Sequence, residues 1–326
     1  MNLTVRIERW ALQRAFTISR GSKTEAVVVV AELECGGYRG RGEAVPYLRH
    51  CETPEGVAAA IESMGAAVRG GLDRVGLQTA MPSGAARNAL DCAFWDLAAK
   101  QAGRPAHDLA ALPAPKSVVT AYTISLDKPE IMADAAARAA SRPLLKVKLG
   151  GGRQDAERIA AVRRAAARAE LIIDANEGWS EDDLERNLAA CAQAGVTLIE
   201  QPLPEGRDAA LAQIRRPIAV CADESVHDRA SLDAINGKYD AINVKLDKAG
   251  GLTEALALAA EAERRGMDVM VGCMVATSLA MAPAMLVAQR ARVTDLDGPL
   301  LLAEDRPHGL RYEGSIVYPA EPVLWG

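Results

Sequence analysis

Apolar and polar positions interleave over the first fifty residues. Residues 25–34, EAVVVVAELE, form a strong strand run. Gly36-Gly37 reads as a turn and 38–43 as a short return strand, so this region is predicted to be a β-ribbon. From 54 to about 112 the period becomes helical. In 84–100, GAARNALDCAFWDLAAK, the residues Ala85, Asn88, Ala89, Cys92, Trp95 and Ala99 share one helical spacing. After Ser117 the texture changes again. Apolar runs at 118–125, 144–149, 170–174, 196–200, 217–222, 240–245, 268–272 and 292–296 alternate with alanine-rich stretches such as 155–169, 182–194, 231–236 and 253–265. Strands separated by helices at this spacing describe βα units on a parallel sheet. Eight in succession predict a closed barrel, with an open doubly wound sheet as the alternative. Residues 300–326 read as short strands returning to the N-terminal ribbon.

Composition narrows the function classes. The chain of 326 residues has room for one large domain or two ordinary ones. Its 49% hydrophobic and 25% charged residues are an ordinary soluble balance. Net charge is -5 without a sizeable run of one sign, so neither nucleic acid nor an anionic membrane is an expected partner. No apolar run approaches the roughly 20 residues of a membrane span. The start lacks the apolar core of a signal peptide, so the expected compartment is the cytoplasm. The six cysteines show no CxxC spacing and read as reduced thiols, mostly core fillers.

The chemistry lies where the barrel strands end, which is the rim that forms active sites in such barrels. Strand two ends Lys146-Val147-Lys148, strand three Asp174-Ala175-Asn176 and strand four Glu200-Gln201-Pro202. Strand five ends Asp223-Glu224-Ser225 and strand six Asn243-Val244-Lys245. One strand-end Asp or Lys is ordinarily structural, and Asp223-Glu224-Ser225 alone could cap a helix. Five residues in consecutive register, in the order base, acid, acid, acid, base, ask for a common explanation. Three carboxylates in one desolvated mouth repel strongly unless a hard divalent cation with oxygen ligands, such as Mg2+, relieves them. Such an ion can hold a substrate carboxylate and neutralise the enediolate formed when its α-proton leaves. Lys148 and Lys245 then stand on opposite sides, one taking a proton from one face and the other delivering to the opposite face. Lys146 beside Lys148, with a cation nearby, is expected to lower the lysine pKa values.

The segments KVK, DAN, EQPL, ADES and NVKLDKAGGLTEA, in this order and spacing, resemble the muconate-lactonising subgroup of the enolase superfamily, and so does the helix AARNALDCAFWDLAAK. The resemblance spans essentially the whole chain. It implies an α/β protein, a (β/α)7β TIM-like barrel over about 116–298. An α+β capping domain over 1–115 and a tail over 299–326 that returns to it complete the implied fold. It further implies one Mg2+ per subunit on Asp174, Glu200 and Asp223, with Lys148 and Lys245 as the acid/base pair. Asn176 and Glu224 are implied as orienting groups behind them. None of the four histidines (His50, His107, His227, His308) stands where the mandelate-racemase branch places its base, and His227 reads as a loop residue without a role.

The same lysine pair serves lactonisation, dehydration and racemisation, so the substrate must be read elsewhere. Strand eight ends Thr294-Asp295-Leu296-Asp297, two carboxylates on one side of the strand that suit a cationic group. In this setting Asp295 and Asp297 resemble the Asp-x-Asp by which dipeptide epimerases hold the substrate's N-terminal ammonium. Gly272-Cys273-Met274 resembles the stretch that lines the dipeptide pocket of that family, and Thr123 stands where the family contacts substrate. Lys146 is taken as a further substrate-binding residue. The loop Arg20-Gly21-Ser22-Lys23 resembles the loop that reads the second side chain in L-Ala-D/L-Glu epimerases, with Lys23 in place of arginine. A lysine offers a point charge where arginine offers a fork. The expectation is epimerisation of a dipeptide at its C-terminal residue, L-Ala-D/L-Glu above all, in murein peptide recycling. The alternatives are a cycloisomerase, an o-succinylbenzoate synthase-like lyase, or a Schiff-base aldolase. Oligomeric state is left open by the sequence, a homo-oligomer included.

Overall fold

The computed structural model describes residues 1–150 and 152–326. Strands β1 (Asn2–Ile18), β2 (Gly21–Cys35) and β3 (Tyr38–Ala44) form an antiparallel sheet in that order. The apolar run of β2 is continuous because both its faces are covered. Val29, Ala31 and Leu33 pack into a core with the helices that follow, whereas Val28 and Val30 join the core shared with the barrel. The helix Ala85–Ala102 lies directly on β3. A Cβ on Gly42 would stand 2.1 Å from the Ala89 carbonyl oxygen, so only glycine permits that approach.

Eight parallel strands then form one sheet: β5 (Tyr122–Ile124), β6 (Leu144–Lys148), β7 (Glu170–Asp174), β8 (Val196–Glu200), β9 (Ala219–Ala222), β10 (Ala241–Val244), β11 (Asp268–Gly272) and β12 (Val293–Asp295), each beside the next. The ring closes through a single parallel bridge, Thr120 with Thr294, reinforced by Ala121 N–H donating to the Thr294 carbonyl at 2.8 Å and Leu296 N–H to Thr120 Oγ1 at 2.7 Å. The barrel with a separate antiparallel cap sheet is the architecture expected.

Two details depart from expectation. The run 118–125 is not one strand. Its first part, β4 (Val118–Val119), leaves the barrel and pairs with β14 (Ile316–Val317), itself a hairpin with β13 (Tyr312–Glu313). The hairpin of the tail thus pairs with β4, while the tail reaches the ribbon through one antiparallel bridge, Leu12 with Leu302. The tail meets the cap in other ways. Ala303 N–H donates to the Ala11 carbonyl, and Arg41 Nη2 donates to the carbonyls of Val323 and Leu324. Alternation alone cannot show these pairings, because two-residue strands carry too little pattern. All six cysteines are free. Among the described residues no helix is long and apolar enough to cross a membrane.

Candidate active site

Side chains that point into a barrel recur at every second residue. The lowest tier is apolar: Ala121, Leu144, Ile172, Leu198, Cys221, Ala241, Met270 and Val293 make one buried cluster, one residue for each strand. Two positions further along stand Thr123, Lys146, Asp174, Glu200, Asp223, Asn243, Gly272 and Asp295. Two positions beyond those come Lys148, Asn176, Lys245, Met274 and Asp297. The barrel therefore changes from a dry plug to a charged mouth within one step of the strand period.

Asp174, Glu200 and Asp223 bring a carboxylate oxygen each within 4.8 Å of the others, and all three are buried. Lysines surround them. Lys148 Nζ lies 2.5 Å from Asp174 Oδ2, and Lys245 Nζ 2.6 Å from Asp223 Oδ2. Lys146 Nζ lies 3.2 Å from Asp174 Oδ2 and 2.7 Å from Glu200 Oε2, the latter off the direction of a hydrogen bond. Lys248 Nζ, on the turn after β10, reaches Asp223 Oδ1 at 2.6 Å. Asn243 Nδ2 donates to Glu200 Oε1 at 2.8 Å. Gly272 makes room for that amide, since a Cβ there would stand 2.6 Å from Asn243 Oδ1.

These contacts set the protonation equilibria. Burial pushes the Glu200 carboxyl up to about 8, aided by the charge of Asp174. For Asp174 and Asp223 burial acts in the same direction, but their lysine partners outweigh it and hold both below the usual carboxylate range. Lys146 and Lys245 are desolvated too, yet the carboxylates win and raise both above the usual lysine value. The neighbouring ammonium alone does not give the expected lowering at these two lysines. For these two lysines the neighbouring ammonium matters less than three adjoining anions.

At the end of β12, Asp295 and Asp297 both face the cavity, but neither is a bare anion. Asp295 Oδ2 accepts from Lys146 Nζ at 2.7 Å, and its buried Oδ1 has no hydrogen-bond partner among the described residues. Asp297 Oδ2 accepts from the Thr123 N–H at 2.7 Å. Burial and the charge of Asp295 push Asp297 up to about 7. Cys273 stands next to this pair, its thiol pushed up by burial and by both aspartates.

The cap closes the mouth. Lys23 is not on a free loop but in β2, in register with Phe16 of β1, its Nζ 5.9 Å from the Phe16 ring centroid. It has no carboxylate partner among the described residues, and burial lowers its pKa to about 8. Arg20, at the hairpin tip, donates to the Asn176 carbonyl at 2.9 Å and to Glu224 Oε1 at 2.6 Å. Glu224 thus meets the cap through Oε1, while burial and the charges of Asp223 and Asp174 raise its pKa from the side of the cluster. Asn176 lines the cavity and its N–H donates to Asp174 Oδ1 at 2.9 Å. The cavity measures about 610 Å³ and is lined by Lys23, Thr123, Lys146, Lys148, Lys245, Cys273, Asp295 and Asp297 among others. His227 lies outside it, beside Glu205 and edge-on to His50. Sequence reasoning passed over Lys248, Asn243 and Arg20 as site residues. The first two lie within NVKLDKAGGLTEA, and their spacing from Lys245 was the available signal.

Comparison with known proteins agrees with this geometry. Residues 1–110 match the family described as mandelate racemase / muconate lactonizing enzyme, N-terminal domain, and 131–322 match the enolase C-terminal domain-like family. The chain is 46% identical to the L-Ala-D/L-Glu epimerase of Escherichia coli K12, covering 94% of this chain and 95% of that one. It is 44% identical to an N-acetyl-D-glutamate racemase of a Pseudoalteromonas species, covering 92% and 94%. A crystal structure of an enolase family member from Agrobacterium tumefaciens with homology to dipeptide epimerases, holding sodium and L-Ala-L-Glu, superimposes with a TM-score of 0.97. It is 55% identical and covers 99% of both chains.

Proposed function

The chain belongs to the mandelate racemase / muconate lactonizing enzyme family of enolase-like proteins, and on that premise we propose that it is a dipeptide epimerase. The reaction inverts the α-carbon of the C-terminal residue, with L-Ala-D/L-Glu the favoured pair and murein peptide recycling the role. The relatives named above are epimerases and racemases, so the enzyme class is isomerase.

One observation carries the mechanism. Lys148 and Lys245 bracket the carboxylates from the two ends of a five-strand arc, β6 to β10. A neutral lysine on one side takes the α-proton, and the bonding electron pair passes into the substrate carboxylate as an enediolate. The ammonium of the other lysine returns a proton to the opposite face. Asp174, Glu200 and Asp223 fit Mg2+, being three buried carboxylates, with Asn176 Oδ1 and Asn243 Oδ1 buried nearby without hydrogen-bond partners among the described residues. When bound, Mg2+ supplies neutralisation of the charge that develops on the substrate carboxylate. The carboxylates that hold Lys245 protonated are the ones that would hold the ion, so its binding would weaken their hold on the lysine's proton.

At the far ends, the free Oδ1 of Asp295 accepts from the substrate's ammonium, and Lys23 meets the side-chain carboxylate of a C-terminal glutamate. The test is a dipeptide panel in deuterium oxide with Mg2+, read by mass for exchange at the α-carbon. Exchange into L-Ala-L-Glu above all other members is expected, and exchange confined to non-peptide acids would overturn the reading.

A second reading has a specific support. Lys146 already neutralises Asp295, and Asp297 titrates near 7, so the ammonium end is only weakly anionic. An N-acylated glutamate, carrying no ammonium, suits such an end when Asp297 is protonated and donates to the acyl carbonyl. Presenting N-acetyl-D-glutamate beside L-Ala-L-Glu in the same exchange assay decides between the two, by whichever has the higher kcat/KM.

A further inference from the structure

A second cavity of about 500 Å³ lies directly behind the first. Phe16, Thr123 and Leu301 line both, so the partition is one side chain thick. The partition stands at the ammonium end, because the Thr123 N–H is the group that holds Asp297. The space exists because β1 leaves its ladder between Ala11 and Phe16, and the displaced residues form one wall. The helix Pro129–Arg138 forms another.

Its charge is one-sided. Arg14, Arg138 and Arg142 line it against a single acid, Asp127. Arg142 is engaged, stacked 4.1 Å from the Tyr122 ring centroid and donating to the Gly314 carbonyl at 2.9 Å. Arg14 and Arg138 are exposed and form no ion pair among the described residues. Ile131 and Met132 add apolar surface to its lining. Phe16 and Leu301 are apolar and the guanidinium groups lie beyond them, an order that suits a side chain with methylenes first and a carboxylate last.

Resting on the dipeptide reading, we propose that this second cavity is a subsite for an anionic side chain on the substrate's first residue, admitted past Phe16 and Leu301 and held by Arg14 and Arg138. The enzyme then accepts acidic residues at both positions of the dipeptide: Lys23 reads the second, and the arginine pair reads the first.

The test compares L-Glu-L-Glu with its neutral isostere L-Gln-L-Glu, with L-Ala-L-Glu as reference, in the parent and in R14Q/R138Q. The parent is expected to favour L-Glu-L-Glu over L-Gln-L-Glu by roughly 5- to 10-fold in kcat/KM at low salt, fading in high salt as solvated ion pairs do. The double variant should bring that ratio to about one and leave L-Ala-L-Glu unchanged. A parent ratio near one, or a ratio that survives the double substitution, overturns the subsite. Failure to turn over L-Ala-L-Glu would instead overturn the dipeptide reading. The subsite is then decided by calorimetry of L-Glu-L-Glu with Mg2+, where loss of binding in R14Q/R138Q supports it and equal binding refutes it.

Discussion

Replacing Lys23 with methionine removes one charge from the cavity and keeps most of the side chain's length. Lys23 is the informative position because its ammonium has no carboxylate partner among the described residues, while burial lowers its pKa to about 8. Lys23 is therefore charged in most molecules below pH 8 and neutral in most above it. A partly enclosed pair with the substrate's side-chain carboxylate supports about 1–3 kcal/mol, which is roughly 5- to 100-fold in selectivity. The assay is the ratio of kcat/KM for L-Ala-L-Glu to that for L-Ala-L-Gln, since the two share every other titrating group and kcat/KM reports the free enzyme. The parent's ratio should be highest below pH 7 and fall as pH rises through 8, because the charged form is the one lost on deprotonation. Lys23→Met should bring the ratio to about one at every pH. Lys23→Arg should keep the glutamate preference at pH 9, because a guanidinium does not titrate there. A ratio in Lys23→Met equal to the parent's, or a parent ratio flat to pH 9, would refute the assignment of this side chain.

Exhaustive chelation should abolish turnover and added Mg2+ restore it, and full activity after chelation would remove the role given to Asp174, Glu200 and Asp223. Lys148→Ala and Lys245→Ala should each stop epimerisation while leaving solvent exchange into one epimer only, a different one for each variant. Near-normal epimerisation by either variant would end the two-base mechanism. Gly272→Ala should push the Asn243 amide away from Glu200 Oε1, because its Cβ would stand 2.6 Å from Asn243 Oδ1. Loss of a buried hydrogen bond to a carboxylate predicts about 1–3 kcal/mol of destabilisation and a melting temperature lower by a few degrees. An unchanged melting temperature together with unchanged activity would show that the amide has room to spare.

The barrel and its carboxylates were legible in the sequence for one reason: five successive strands of four or five residues, each with a charged residue at its end or immediately after it, impose both period and register. Lys148, Asp174, Glu200, Asp223 and Lys245 needed only the two-residue period to be placed in one mouth. What the strand ends meet was not legible in the same way. Lys146 looked like a neighbour that would depress lysine pKa values. In the fold it points into the barrel below Lys148 and collects Asp174, Glu200 and Asp295. Asp295 and Asp297 looked like a bare anionic pair, yet Lys146 and the Thr123 N–H come to them from strands two and one. Lys23 looked like part of a loop, because Gly21 and Ser22 carry no strand signal. The ladder that fixes it, Phe16 with Lys23, follows an irregularity in β1 that no local pattern announces. Contacts across strands distant in sequence decide each of these cases, and alternation is blind to them.

The division of labour follows from which unit supplies which residue. Every group assigned to the proton transfer stands on a barrel strand end, and its position is set by parallel ladders that also build the core. The group assigned to reading the second side chain, Lys23, comes from the cap. Arg20 and Ser19 tie the hairpin tip to the barrel, both donating to the Asn176 carbonyl and Arg20 also to Glu224. Asn176 and its neighbour Glu177 hold left-handed backbone conformations, φ 45° and 62°, so the barrel loop presents that carbonyl at a conformational cost. A cost tolerated there is intelligible if the carbonyl's task is to seat the cap. Changes at Lys23 therefore alter which second residue is chosen, while changes at Lys148, Lys245 and the three carboxylates alter whether any α-proton moves at all.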